Sequence, residues 1–154
     1  MSAQRVAVVT GASRGLGAAI ADRLASDGWA VACLATTASS ATETAERCAR
    51  EHGVKTLALG AQVEDRAQLE AALSQTESEL GAVGLMVNNA GIAHVAPFEE
   101  LDPEDFRRMV DINLMGVFHG SQLAAQAMIA SQTPGSIVQL GSIAGINGFP
   151  NRVG

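Results

Sequence analysis

Thr10-Gly11-Ala12-Ser13-Arg14-Gly15-Leu16-Gly17 follows the apolar run Arg5–Thr10 and opens a segment in which Leu16, Ile20 and Leu24 recur at a four-residue step. A strand-length apolar run, a glycine-rich turn and a helical period, in that order, predict strand, tight turn and helix. Gly11 permits the turn, Gly15 lets the backbone approach a pyrophosphate, and Gly17 lets the helix pack close to the strand. Phosphates held there would meet the positive end of the helix. Taken alone, the same turn also admits a purely structural reading.

Working outward, four further apolar runs recur: Ala30–Leu34, Lys55–Leu59, Gly84–Asn88 and Ser136–Leu140. All have the length of strands. They are nearly continuous in Val, Ile, Leu, Ala and Met, the pattern of strands covered on both faces in a parallel sheet. Between them the spacing predicts helices over about Ser40–Glu51 and Asp65–Leu80. A longer helix begins at Asp102, with Pro103 at its first position and Glu104 and Asp105 in its first turn, which suits a helix amino terminus. Strand and helix alternate throughout, so the expected fold class is α/β: a doubly wound parallel sheet in a single domain. The unusual residues fall at carboxyl ends of the strands: Thr10–Ser13, Thr36-Thr37, Gln62-Val63, Asn89-Ala90-Gly91 and Gly141-Ser142. In an open α/β sheet those ends form the ligand crevice.

Composition narrows the function classes. The 154 residues are 47% apolar and 17% charged, enough for a buried core, and the formal net charge is −6 without a Lys/Arg cluster. Nucleic acid is therefore not an expected partner. There is no apolar stretch of membrane-spanning length and no leader pattern after Met1, so neither a membrane partner nor secretion is expected. Cys33 and Cys48 form neither a disulfide scaffold nor a CxxC pair, which fits a reducing, cytoplasmic setting. Cys33, in an apolar run, is expected to be core. His52, His94 and His119 lack ligand spacing, and no metal site is expected.

Three motifs follow the first. Asn88-Asn89-Ala90-Gly91 ends the fourth apolar run, where an Asn pair needs partners and braces neighbouring strands in its plainest reading. Asn113, in Asp111-Ile112-Asn113-Leu114-Met115-Gly116, falls on a stripe with Phe106, Met109, Val110 and Val117; a buried amide there must be satisfied, whether by core backbone or by a functional partner. Ser142 stands at the end of the fifth run, where a serine ordinarily caps or turns the chain.

In order and spacing these motifs resemble the short-chain dehydrogenase/reductase family over nearly the whole chain, through its TGxxxGxG turn, its NNAG segment, its catalytic Asn and its catalytic Ser. The resemblance implies a Rossmann-type domain over residues 1–154, incomplete at its carboxyl end. It also implies a nicotinamide cofactor held by Gly11, Ser13, Arg14, Gly15, Leu16, Gly17, Thr36, Thr37, Gln62, Val63, Asn89, Ala90 and Gly91. The family's adenine-contacting Asp-Val is Gln62-Val63 here; an amide still bonds adenine. Where NAD-binding members carry an acid after the second strand, this chain has Ala35-Thr36-Thr37. Arg14 suits a 2′-phosphate through charge-assisted hydrogen bonds, with Thr36 or Thr37 adding a hydroxyl, so NADP(H) is expected over NAD(H), with a solvated Arg14 as the alternative.

The family chemistry is hydride transfer to or from a carbonyl with a Tyr as acid or base, its pKa lowered from about 10 by a Lys in a Tyr-x-x-x-Lys pattern. Ser142 would steady the substrate oxygen and Asn113 a proton-relay water. Tyr is absent and Lys55 is the sole lysine; the expected Tyr falls immediately after Gly154. Residues 1–154 alone are thus expected to be inactive, with Ile137, Val138 and Leu140 on an exposed strand edge. Arg14 and Thr36-Thr37 resemble the 3-oxoacyl-acyl-carrier-protein reductase branch, although Gly145–Pro150 and His94–Phe98 would equally suit steroid, sugar, diacetyl or polyketide carbonyls. The missing Tyr and Lys motivate an alternative, a non-catalytic nucleotide-binding module. Family members pair through the long helix, here Phe106 to Met128, and the helix that follows the Tyr, so a homodimer or homotetramer is expected.

Overall fold

The computed structural model describes residues 4–152. Five strands, β1 (Val6–Thr10), β2 (Ala30–Ala35), β3 (Thr56–Gly60), β4 (Val83–Asn88) and β5 (Ser136–Gln139), form one parallel sheet in the order β3-β2-β1-β4-β5. Helices α1 (Gly15–Ser26), α2 (Ala38–His52) and α3 (Arg66–Leu80) connect the first four strands, and α4 (Pro103–Val110) runs through a π-helical turn, Asp111–Met115, into α5 (Gly116–Ala130). The strand order reverses between β1 and β4, the place where a doubly wound sheet opens a crevice. Each strand expected from the sequence is present, with ends moved by no more than a residue.

The continuous apolar runs have the cause anticipated for them. In β2, Ala30, Ala32 and Leu34 face a core with Leu69 and Leu73 of α3 and Leu123, Ala124 and Met128 of α5. The alternate residues Val31, Cys33 and Ala35 face a second core with Ala21 and Ala25 of α1 and Ala41, Ala45 and Cys48 of α2. Side chains of a strand point alternately to opposite faces, so a strand covered on both needs an apolar residue at every position.

The helix faces differ from the expected ones at two places. The buried line of α1 is Gly17, Ala18, Ala21 and Ala25, and Leu16 is 70% exposed. The four-residue step was right, but the inward face carries the small residues, because α1 lies close against the sheet and leaves no room for leucine. Along α4 and α5 the inward line is Met109, Ile112, Gly116, Gly120, Leu123, Ala124 and Met128. Phe106 and Asn113, placed on that stripe from the sequence, are exposed. The π turn inserts extra backbone and rotates the faces on either side of it, which a regular helical count does not register.

Cys33 and Cys48 are free and buried in the α1/α2 core. Burial pushes the Cys33 thiol up to about 12 and raises that of Cys48 as well, so neither supplies a thiolate at neutral pH. Neither thiol should react with an aromatic disulfide reagent at pH 8 until denaturant unfolds the chain; fast labelling of the native protein would contradict this packing. β5 is an edge, with Val138 44% exposed, and Ile137 is half-buried. Among the described residues no helix is long and apolar enough to cross a membrane.

Candidate functional site: a cleft at the carboxyl ends of the strands

A cleft of about 450 Å³ opens at the carboxyl ends of the strands. Gly11, Ser13, Arg14, Gly15, Leu16 and Gly17 from the β1–α1 turn line it, with Thr36 after β2, Gln62 and Val63 after β3, and Asn89, Ala90 and Gly91 after β4. Folding therefore brings together twelve of the thirteen residues expected to hold a cofactor. Thr37 is not part of the lining. It is the N-cap of α2, and its hydroxyl accepts from the Ser40 N–H at 3.3 Å and lies 2.7 Å from the Ser40 hydroxyl. Of the two threonines, Thr36 alone faces the cleft.

The glycine turn has the form its residues demand. Gly11 sits at φ +65°, and a Cβ there would stand 2.9 Å from Asn89 Nδ2 and 3.0 Å from Ala90 Cα. A Cβ on Gly17 would run into the Gly11 carbonyl and the Asn89 amide. The amino end of α1 is bare. Its N-cap, Arg14, makes no side-chain capping bond, and the first turn holds no acid. Thr37, Asp65 and Asp102 cap α2, α3 and α4 with their side chains. The first N–H groups of a helix have no partner within it, so at α1 they remain available to an anion.

The Asn pair braces the cleft. The Thr10 hydroxyl accepts from the N–H groups of Asn89 and Ala90, each at 3.0 Å, and donates to the Val87 carbonyl at 3.4 Å. Asn89 Nδ2 donates to the carbonyls of Thr10 at 2.8 Å and Gly11 at 3.2 Å. Asn88 is buried and donates to Ser121 of α5, which also receives Gln139 of β5. Asn89 thus braces the strand ends and also lines the cleft.

Asn113 and Ser142 do not line the cleft. Asn113 leaves both amide atoms on Ile92: Oδ1 accepts from its N–H at 2.9 Å and Nδ2 donates to its carbonyl at 2.8 Å. This fixes the loop after β4 to the π turn. Ser142 caps a short 3-10 turn, Ile143–Gly145, accepting from the Ala144 N–H at 3.1 Å. The position expected for the Tyr, after Gly154, lies outside the described residues.

Sequence reasoning missed Ala61, Glu64, Ile92, Arg108 and Ile112, which also line the cleft. Arg108 had no visible signal. Its neighbour Arg107 donates to Glu104 on the same helix at 3.0 Å, whereas among the described residues Arg108 forms no ion pair. Just beyond the cleft, N–H and side-chain donation from Gln68 holds the Asp65 carboxyl below the usual carboxylate range, helped by the Ala67 N–H.

Away from the cleft, Asp22, Glu51 and His52 bring ligand-type atoms within 4.8 Å of one another. His52 Nε2 lies 3.1 Å from Asp22 Oδ1, with Arg47 3.9 Å from the same carboxylate and Arg50 3.7 Å from Glu51. Two guanidinium groups already answer these carboxylates, and the group ties α1 to α2.

The parallel sheet and the reversal of strand order beside a glycine turn define a Rossmann-type α/β domain of the doubly wound class. The sequence profile of the short chain dehydrogenase family matches residues 5–154, and the chain belongs to that family. It is 36% identical to L-2,3-butanediol dehydrogenase of Corynebacterium glutamicum over 95% of this chain and 57% of that protein. It is 33% identical to a 3-oxoacyl-acyl-carrier-protein reductase of Staphylococcus aureus over 99% of this chain and 61% of that one. The fold superimposes with a TM-score of 0.89 and 31% identity on an alcohol dehydrogenase from the archaeon Thermococcus sibiricus complexed with 5-hydroxy-NADP, covering 96% of this chain and 62% of that one. The chain thus spans roughly three fifths of the relatives it matches.

Proposed function

We propose that the cleft binds a nicotinamide dinucleotide, NADPH in preference to NADH, and that the whole protein is an oxidoreductase acting on a carbonyl or alcohol. The observation that carries this reading is the uncapped amino end of α1 facing a cleft lined by Gly11, Arg14, Gly15 and Thr36. The bare N–H groups and the positive helix end suit a pyrophosphate. Arg14 and Thr36 form a cation-and-hydroxyl pair for a 2′-phosphate, in a place where an acid would repel it. When bound, the nicotinamide supplies or accepts the hydride. Gln62 and Val63 support the adenine end.

Ser142 stands at the end of β5 as the group to steady the substrate oxygen, its hydroxyl proton free because the Ala144 contact uses only its acceptor side. The Asn113 amide is committed to Ile92. In this arrangement the part Asn113 plays is to hold the loop after β4 against the π turn. The substrate class proposed is a 3-oxoacyl thioester, supported only through the resemblance of Arg14 with Thr36 to that branch's cofactor-phosphate pattern; the butanediol relative keeps small diketones and hydroxyketones in view. Pairing of copies through α4 and α5 is supported by Phe106, Leu114 and Phe118, exposed at 40%, 62% and 52%. Size-exclusion chromatography of the gene's full product is expected to give a dimer or tetramer.

Arg14→Ala is expected to raise the Kd for NADPH roughly ten- to a hundredfold, the worth of a charge-assisted contact, and to leave NADH nearly unchanged. Equal losses for both would overturn the NADPH assignment. Turnover of acetoacetyl thioesters or small diketones with NADPH by the gene's full product tests the activity. Binding without turnover across that panel would favour the nucleotide-binding module instead.

A further inference from the structure

We infer that Arg108 is a cofactor-affinity residue that lays its guanidinium plane over the adenine ring; this rests on the dinucleotide reading of the cleft. The cleft has two chemically distinct stretches. One is the glycine turn with Arg14, Thr36 and the bare α1 end, which suits phosphate. The other holds Gln62, Val63 and Glu64 of the loop after β3 with Ile112 of the π turn, an apolar surface beside edge-reading polar groups, which suits a flat heteroaromatic base.

Arg108 belongs to the second stretch. It stands one turn before Ile112 on the continuous α4–α5 helix, which rests on the loop after β3: a Cβ on Gly116 would meet Val63 Cγ2 at 2.6 Å. That loop follows β3, and β2 separates β3 from β1, which leads into the phosphate turn. The neighbouring carboxylates leave its guanidinium unpaired: among the described residues neither Glu64 nor Asp111 forms an ion pair with it, although Glu64 lines the same cleft. An unpaired planar cation lining the same cleft as these apolar side chains is chemistry that stacks on an aromatic ring.

The test uses the gene's full product and measures NADPH, NADH and ADP affinities for the parent and for Arg108→Ala, Arg108→Lys and Arg107→Ala. Adenine is common to all three ligands, so Arg108→Ala is expected to raise every Kd by about five- to tenfold, as a partly desolvated stacking contact should. The NADPH to NADH ratio should stay where it was. Arg108→Lys, which keeps the charge and loses the plane, should behave like the alanine variant, and Arg107→Ala like the parent. Trp29 emission confirms that each variant is folded. A loss confined to NADPH, a lysine variant with parent affinity, or no change for Arg108→Ala would each overturn the inference while the cofactor reading stands. A folded parent that binds neither nicotinamide nucleotide would overturn that reading and the inference with it.

Discussion

Gly17→Val is expected to lower the Tm steeply and to leave the chain without measurable nucleotide binding. The Cβ of any residue at this position would overlap the Gly11 carbonyl and the Asn89 amide. Both are fixed: Asn89 Nδ2 bonds to the carbonyls of Thr10 and Gly11, and its N–H to the Thr10 hydroxyl. Relief would require α1 to lift off the sheet, uncovering Ala21 and Ala25, which are packed in its core. Overpacking a rigid site commonly costs about 1–3 kcal/mol and more when backbone must move, against a domain stability of about 5–15 kcal/mol. Gly17→Ala should show the same effect in milder form, as a lowered Tm with weakened nucleotide binding. Gly148→Ala is the control, since its Cβ would meet nothing within 4 Å, and should change stability by less than about 0.5 kcal/mol. A Gly17→Val protein with the parent Tm would refute the close approach of α1 to the strand.

Thr10→Val should lower stability by about 2–4 kcal/mol, read as a shift in urea midpoint at unchanged m-value, because buried donors left without acceptors each cost about 1–3 kcal/mol. Valine has nearly the same shape as threonine, so no cavity contributes. The lost group is a hydroxyl that accepts from two backbone N–H groups at 3.0 Å and donates to Val87, on a residue 1% exposed. Asn89 and Ala90 line the cleft, so NADPH affinity should fall together with stability. Thr10→Ser keeps the hydroxyl and should restore most of both. A valine variant as stable as the parent would mean that the strand ends are held without this hydroxyl.

Much of the cleft was legible because its requirements are local. Gly11 and Gly15 sit at positive φ within a few residues of a strand end, and such turns announce themselves in sequence. The loops after β2, β3 and β4 were placed correctly for the same reason, since each follows directly from where an apolar run stops. The long helix was harder. Its beginning, Asp102 with Pro103, was readable and is an N-cap in the structure, but the π turn at Asp111–Met115 shifted the faces around Asn113, and nothing in the residue pattern marks such a turn.

By itself, then, the sequence determined the alternation of strands and helices, the burial of both sheet faces, and the glycine turn, because strand periodicity, apolar continuity and backbone freedom are properties of neighbouring residues. Only the tertiary structure decided which of Thr36 and Thr37 faces the cleft, that Arg108 and not Arg107 does so, and that Asn113 spends its amide on Ile92. It also brought Asp22 beside His52. These outcomes depend on how helices are rotated and seated against the sheet, and that seating is set by the summed packing of both cores, with small alanines fixing one face and leucines and methionines the other. No single stretch of chain encodes it.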